Sequence, residues 1–176
     1  MRGHHGLELL VIDYIQLLAR LLRRQYKGIA DQSQILALLV RGLKHLTLTH
    51  NNEGMTIFIL SQLNRTSLTS IKERIRNPRL SEADRYKNIY DLTSISESSE
   101  IVNAADVVVT VFSDDYLKKK KEVVVQIIKN RRGNTLEEGV HILALPEICY
   151  IGDIKQEIDP EITAKYIHYL ISGKIV

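Results

Sequence analysis

Between Leu9 and Leu18 the chain reads LLVIDYIQLL, an apolar run that delivers one acid, Asp13, with Tyr14 and Gln16 just after it. A continuous rather than alternating run predicts a strand buried on both faces, as in a parallel sheet lying under helices. That constrains the chain beyond it, because parallel strands need long crossovers, usually helical. An aspartate at the C-terminal end of such a strand sits where open α/β sheets hold their ligands, typically a phosphate-bound Mg2+. This is the Walker B arrangement. The plain alternative is a buried strand followed by a turn-forming aspartate, and the run alone leaves both open.

The chain has 176 residues, enough for one domain with a substantial core. Apolar residues at 44% and charged residues at 26% describe an ordinary globular protein and exclude a disordered tail. The formal charge of +3 permits nucleic-acid binding without arguing for it, so local clusters matter more. A single cysteine, Cys149, excludes an internal disulfide and a cysteine-based zinc site, and fits a reducing cytosol. The short apolar run after Arg2 is broken by Asp13, which does not match a signal peptide, and no stretch reaches the ~20 apolar residues of a membrane span. A cytoplasmic protein with no membrane partner is the expectation. His4 and His5 resemble part of a tag or a polar lead-in, and adjacent histidines without further ligands make a poor metal site.

Arg20, Arg23, Arg24 and Lys27 form a basic patch that suits a solvated helix face. A helix is predicted from about Ser33 to His50, capped by Asp31 or Ser33, with Ile35, Leu36, Leu39, Leu43 and Leu46 on its buried face. The second strand, Met55 to Leu60, runs directly into Ser61-Gln62-Leu63-Asn64-Arg65. A strand, helix and strand in that order form a parallel crossover unit, so SQLNR emerges at the same carboxyl edge as Asp13. From Thr66 to Ser96 the periodicity dissolves. Arg74, Arg76, Arg79, Arg85 and Lys87 are interleaved with Tyr86 and Tyr90, a composition that suits single-stranded nucleic acid as well as a solvated loop. A short helical segment then leads into a strand over Asp106 to Phe112. Lys118 to Lys121 read as a charged hairpin tip, followed by strands over Glu122 to Ile128 and Val140 to Leu145. Between those strands lies a basic turn, Lys129-Asn130-Arg131-Arg132-Gly133-Asn134-Thr135. These late strands are expected to extend the sheet in antiparallel fashion. Proline opens a last helix, Pro160 to Ser172, with Ile162, Tyr166, Tyr169 and Leu170 as its apolar stripe, for core packing or for docking onto a partner subunit.

Taken in order, VIDYIQLL, FILSQLNR, ESSEIVNAADVVV, IIKNRRGNT and LALPE resemble the second half of the RecA-like motor domain of DnaB-type replicative helicases. The resemblance spans about Gly6 to Gly152. It implies an α/β, RecA-like P-loop NTPase core over residues 1–153, with 154–176 as a C-terminal extension helix. It also implies ATP and Mg2+ as cofactors, single-stranded DNA as a partner, a hexameric ring of like subunits, and contacts with other replication proteins. By the same resemblance, Asp13 holds the Mg2+ of the nucleotide through water. Gln62 senses the γ-phosphate, and Lys129 and Arg131 reach into the neighbouring subunit's site. A finger of that kind stabilises charge on the transferred phosphoryl group.

The departures carry information too. The phosphate-cradling loop GxxxxGK[ST] does not occur in these 176 residues. In the family it lies upstream of the Walker B strand, as does the catalytic glutamate. Where the family's DNA-contacting loop reads Arg-Glu-Ser-Gly, this chain has Ser96-Glu97-Ser98-Ser99, keeping Glu97 but neither the cation nor the glycine. Arg74, Arg76 and Arg79, in a connection longer than the family norm, are the candidates to replace that cation. The expected function is therefore a helicase motor segment that does not hydrolyse ATP unaided. The alternative is a non-enzymatic DNA-binding or oligomerisation module derived from one. A sheet without its P-loop strand and helix should expose apolar surface, so self-association is expected.

Overall fold

The computed structural model describes residues 7–25, 31–50, 54–63, 65–95, 99–154 and 159–172. The backbone falls into two units, one formed by Met1–Arg74 with Tyr90–Asp106, the other by Ile75–Ile89 with Val107–Val176.

In the first unit, strand β1 (Leu9–Ile12) pairs in parallel with β2 (Thr56–Ile59), in a register that sets Val11 opposite Phe58 and Ile12 opposite Ile59. Two helices, α1 (Ile15–Gln25) and α2 (Gln32–Thr49), make the crossover. The apolar run from Leu9 thus straddles two elements. Its second half is helical because Ile15, Ala19 and Leu22 share one side of a 3.6-residue repeat. Ile15 and Ala19 are fully buried and meet Ile35, Leu36 and Val40 of α2 and Ile101 of α5 (Ser99–Ala104), with Ile12 and Ile59 packed beneath. Asp31 caps α2 in a complete capping box, accepting from the Gln34 N–H while Gln34 reaches back to the Asp31 N–H. Leu46, expected on the buried face of α2, is exposed, and Val40 takes its share of the core.

The expectation that β1 is buried on both faces does not hold. Leu10, Ile12, Ile57 and Ile59 face the helices. Val11 and Phe58, on the opposite face, are 57% and 60% exposed, and no described element covers them.

The second unit is built on a four-stranded antiparallel sheet, β3 (Val107–Phe112), β4 (Glu122–Asn130), β5 (Leu136–Leu145) and β6 (Tyr150–Gly152), in that order. One mostly parallel sheet with an antiparallel extension was expected. Among the described residues there are instead a small parallel sheet and a separate antiparallel one. The reason is local. After Phe112 the chain reverses within α6 (Asp115–Lys120), so β3 pairs with its immediate successor. The lysine run expected at a hairpin tip forms the last turns of α6, capped by Asp114 and closed by Lys121 in the left-handed region at φ 58°. Lysines there complement the carbonyl end of the helix.

The segment from Thr66 to Ser96, expected as a polar connection, carries α3 (Arg65–Ile75), α4 (Glu82–Tyr86) and a 3-10 turn at Leu92–Ser94. Tyr86 and Tyr90 are buried, so they are core residues and not stacking platforms for bases. The Tyr86 ring lies 6.1 Å from Phe112 and 5.7 Å, edge-on, from His141. Phe112, Val124 and His141 form one cross-strand row, and Tyr86 covers it. Gln126, 1% exposed, accepts the Ile89 N–H at 3.1 Å and ties the α4 segment to the sheet. The last helix, α7 (Pro160–Ser172), matches its expected bounds. Its Tyr166 ring receives the Lys121 ammonium at 4.2 Å, while the Tyr169 and Leu170 side chains lie outside the described residues.

Candidate functional site

The carboxyl edge of the parallel pair is built by main-chain bonds that continue past the strands. Leu60 N–H donates to Ile12 O at 2.9 Å, and Ile15 N–H donates to Leu60 O at 3.1 Å. These bonds bring the Asp13 turn and the Ser61-Gln62 segment to one edge, as the sequence implied. Asp13 is exposed between β1 and α1, and the Asp13–Tyr14 peptide bond is cis. Gln62 is also exposed, at the end of the β2 segment. One carboxylate, open to solvent at a strand end, is a hard oxygen donor of the kind Mg2+ uses when water and phosphates complete its shell. Tyr14 borders the edge. Its hydroxyl accepts from Arg20 Nη2 at 2.7 Å, and the guanidinium sits 5.7 Å from its ring centre.

Sequence reasoning assigned no role to Gln16, which the fold buries behind this edge at 2% exposure. Its Nε2 donates to Ser61 Oγ at 2.8 Å, and its Oε1 accepts the Gln62 N–H at 3.4 Å. The available signal was a long polar amide on the apolar face of an amphipathic helix, the position of a side chain that needs partners.

Just beyond Gln62, Leu63 forms an antiparallel bridge with Ile95. Ile95 therefore lies beside the end of the β2 segment. Glu97 itself, like Lys27, His4 and His5, lies outside the described residues. Arg41 and Glu100, 3.0 Å apart, and Lys44 and Asp106, 2.6 Å apart, link the α2 surface to residues around α5. The Arg41 guanidinium holds the Glu100 carboxyl below its ordinary range.

Lys129 and Arg131 belong to the second unit. Lys129 lies opposite Val108, one residue before the end of β4, and Arg131 is exposed on the turn into β5. The Asn130 side chain braces that turn: its Nδ2 donates to Asn134 O at 3.3 Å and its Oδ1 accepts the Arg132 N–H at 3.2 Å. A rigid, permanently charged fork on a short braced turn is suited to engaging phosphate. Of the arginines in the longer connection, Arg74 is half-buried in the last turn of α3, while Arg76 and Arg79 are exposed beyond it. Asn77 Oδ1 accepts the Arg79 N–H at 3.0 Å, shaping the turn at that point.

Among the described residues no helix is long and apolar enough to cross a membrane. No curated protein matches the chain. A family model described as the DnaB-like helicase C terminal domain matches residues 1–144.

Proposed function

Because the chain belongs to the family of DnaB-like helicase C-terminal domains, we propose that it is a motor-domain segment of an ATP-driven replicative DNA helicase. The observation that carries this reading is the shared carboxyl edge of Asp13 and Gln62, held by the Ile12–Leu60 and Leu60–Ile15 main-chain bonds. In open parallel sheets that edge is where nucleotides bind.

In this reading the site is of the P-loop NTPase type and residues 1–153 act as a RecA-like domain, with 154–176 as its extension. Asp13 is the Walker B aspartate and holds Mg2+ through water. Gln62 responds to the γ-phosphate. Lys129 and Arg131 act in trans as the finger of a ring, hexameric by family, stabilising charge on the phosphoryl group of the adjacent subunit. Single-stranded DNA is the polymer that the ring tracks. Glu97 and the cations Arg74, Arg76 and Arg79 are its contacts, and other replication proteins are further partners. These 176 residues contain no GxxxxGK[ST] cradle, so ATP and Mg2+ bind weakly to them and are not turned over.

The test is ATPase activity and fluorescent-nucleotide binding, with and without single-stranded DNA. No hydrolysis is expected, together with weak, Mg2+-dependent binding that Asp13→Ala removes. Robust turnover abolished by Asp13→Ala would overturn the account of the missing cradle. A second reading, a non-enzymatic DNA-binding or oligomerisation module, is favoured by one observation, the uncovered Val11 and Phe58 face of the parallel pair. Nucleotide-independent self-association with no response to Mg2+-nucleotide would select it.

A further inference from the structure

A glutamine at the second position of α1 is not what the core requires there. Its neighbour Ile15 and Ala19, one turn on, are buried apolar residues, and an aliphatic side chain would fill the same space. Gln16 instead uses both ends of its amide on chain more than forty residues away. Nε2 donates to Ser61 Oγ at 2.8 Å. Ser61 Oγ donates onward to Gln62 O at 3.4 Å. Gln62 N–H donates back to Gln16 Oε1 at 3.4 Å. The three bonds close a ring that includes both main-chain polar groups of Gln62. Chemistry fixes the sense of the ring. With the Gln16 amide turned over, its NH2 would face the Gln62 N–H, donor against donor.

The ring begins where the β1–β2 ladder stops. Leu60 is the last residue of the β2 segment bonded to β1 main chain, through Ile12 O, and Ser61 and Gln62 lie beyond it. We infer that Gln16, acting through Ser61, is a positioning residue for Gln62, fixing the backbone from which the Gln62 side chain reaches a bound phosphate. The functional half of this inference rests on the nucleotide site proposed above. The structural half does not. With its N–H and C=O both held, Gln62 keeps only its side-chain torsions, so its amide sweeps a small volume at the carboxyl edge. A merely structural glutamine would brace the core without distinguishing the Gln62 backbone from its neighbours.

Nuclear magnetic resonance on the whole chain tests both halves, and it detects weak ligands. Amide hydrogen exchange is read first, without nucleotide. Ser61→Ala removes the relay, and Gln16→Leu removes the ring at nearly constant volume. In both, the Gln62 amide should exchange about five- to tenfold faster, the worth of one net hydrogen bond. The Leu60 amide, bonded to Ile12 O, should be unchanged. Ser61→Thr, which keeps the hydroxyl, should restore slow exchange. If the Leu60 and Gln62 amides quicken together, or neither changes, the positioning role is overturned.

The second measurement is titration with Mg2+ and either ADP or a non-hydrolysable ATP analogue. The wild-type Gln62 side-chain amide should respond more strongly to the triphosphate. Ser61→Ala should reduce that preference about threefold or more, Ser61→Thr should keep it, and Gln62→Ala should lose it while retaining slow exchange at position 62. A preference that Ser61→Ala leaves intact overturns the functional half. If the wild-type chain does not distinguish the two nucleotides, the nucleotide reading fails, and the exchange data alone decide the ring.

Discussion

The Tyr86 hydroxyl donates to Asp114 Oδ2 at 3.1 Å, while the other oxygen of that carboxylate accepts the Leu117 N–H at 2.8 Å. One side chain therefore caps α6 and satisfies the phenol buried under the antiparallel sheet. Asp114→Ala loses both functions and should destabilise the protein by about 2–3 kcal/mol, the sum of a helix cap and an orphaned buried hydroxyl. Tyr86→Phe removes only the phenol bond and should cost about 1 kcal/mol. Urea unfolding of both variants checks the order. Burial, then the Asp114 charge, pushes the Tyr86 phenol well above its ordinary range. Its protonated form is favoured in the folded state, so this contribution is lost as pH rises past the unfolded value of about 10.

Acid should weaken the fold through identifiable carboxylates. The bond from Thr93 holds Asp91 below its ordinary range, and the Lys120 ammonium followed by the Tyr116 hydroxyl does the same for Glu82. Groups with lowered folded pKa values stabilise fully above the unfolded carboxylate range near pH 4, and that contribution is lost as pH falls through their folded values. Circular dichroism at decreasing pH should show this loss. In Asp91→Ala the starting stability should be lower and the acid dependence shallower.

Gly54 joins α2 to β2 with φ at +79°, and a Cβ there would lie 2.4 Å from the carbonyl oxygen of Thr47. Neither the backbone angle nor the close approach yields cheaply. Gly54→Ala should therefore cost about 2 kcal/mol, read as a lowered melting temperature. Gly42, with nothing near its Cβ position, provides the control, and Gly42→Ala in mid-helix should stabilise slightly.

With Tyr86 and Tyr90 in the core, any DNA binding by this connection rests on its cations. Changing Arg74, Arg76 and Arg79 together to alanine should weaken single-strand binding. It should also flatten the salt dependence by about 0.7 in log–log slope for each phosphate no longer neutralised. Unchanged affinity and slope would dismiss these arginines as DNA ligands.

The carboxyl edge was the most legible part of the molecule, because an apolar run ending in Asp13 and a second ending in Ser61-Gln62 leave little choice of topology. The cap at Asp31 and the bounds of α7 were legible for the same reason, since local chemistry decides them. Other elements were hidden where two signals overlapped. The run from Leu9 concealed the start of α1, because hydropathy does not break between β1 and α1. Both carry apolar residues on their exposed sides too, Leu9 and Val11 on one and Leu17 and Leu21 on the other. The charged run in α6 masked a helix whose only clear announcement was Asp114. Tyr86 and Tyr90 sat among arginines and read as surface, although both are buried, and the Phe112 and His141 rings that Tyr86 packs on come more than twenty residues further on. The Gln16 ring depends on a distance between α1 and the β2 segment that no sequence pattern encodes.

The bare face of the parallel pair has a colloidal consequence. Val11 and Phe58 stand side by side on it, and water against them is replaced readily by any dry surface. Sulfate and phosphate salts, which are excluded from protein surfaces, sharpen that tendency. The chain should therefore be held on hydrophobic-interaction resins to low salt and precipitate early in ammonium sulfate. Val11→Thr with Phe58→Thr should reverse both behaviours while leaving the helical core of the first unit untouched.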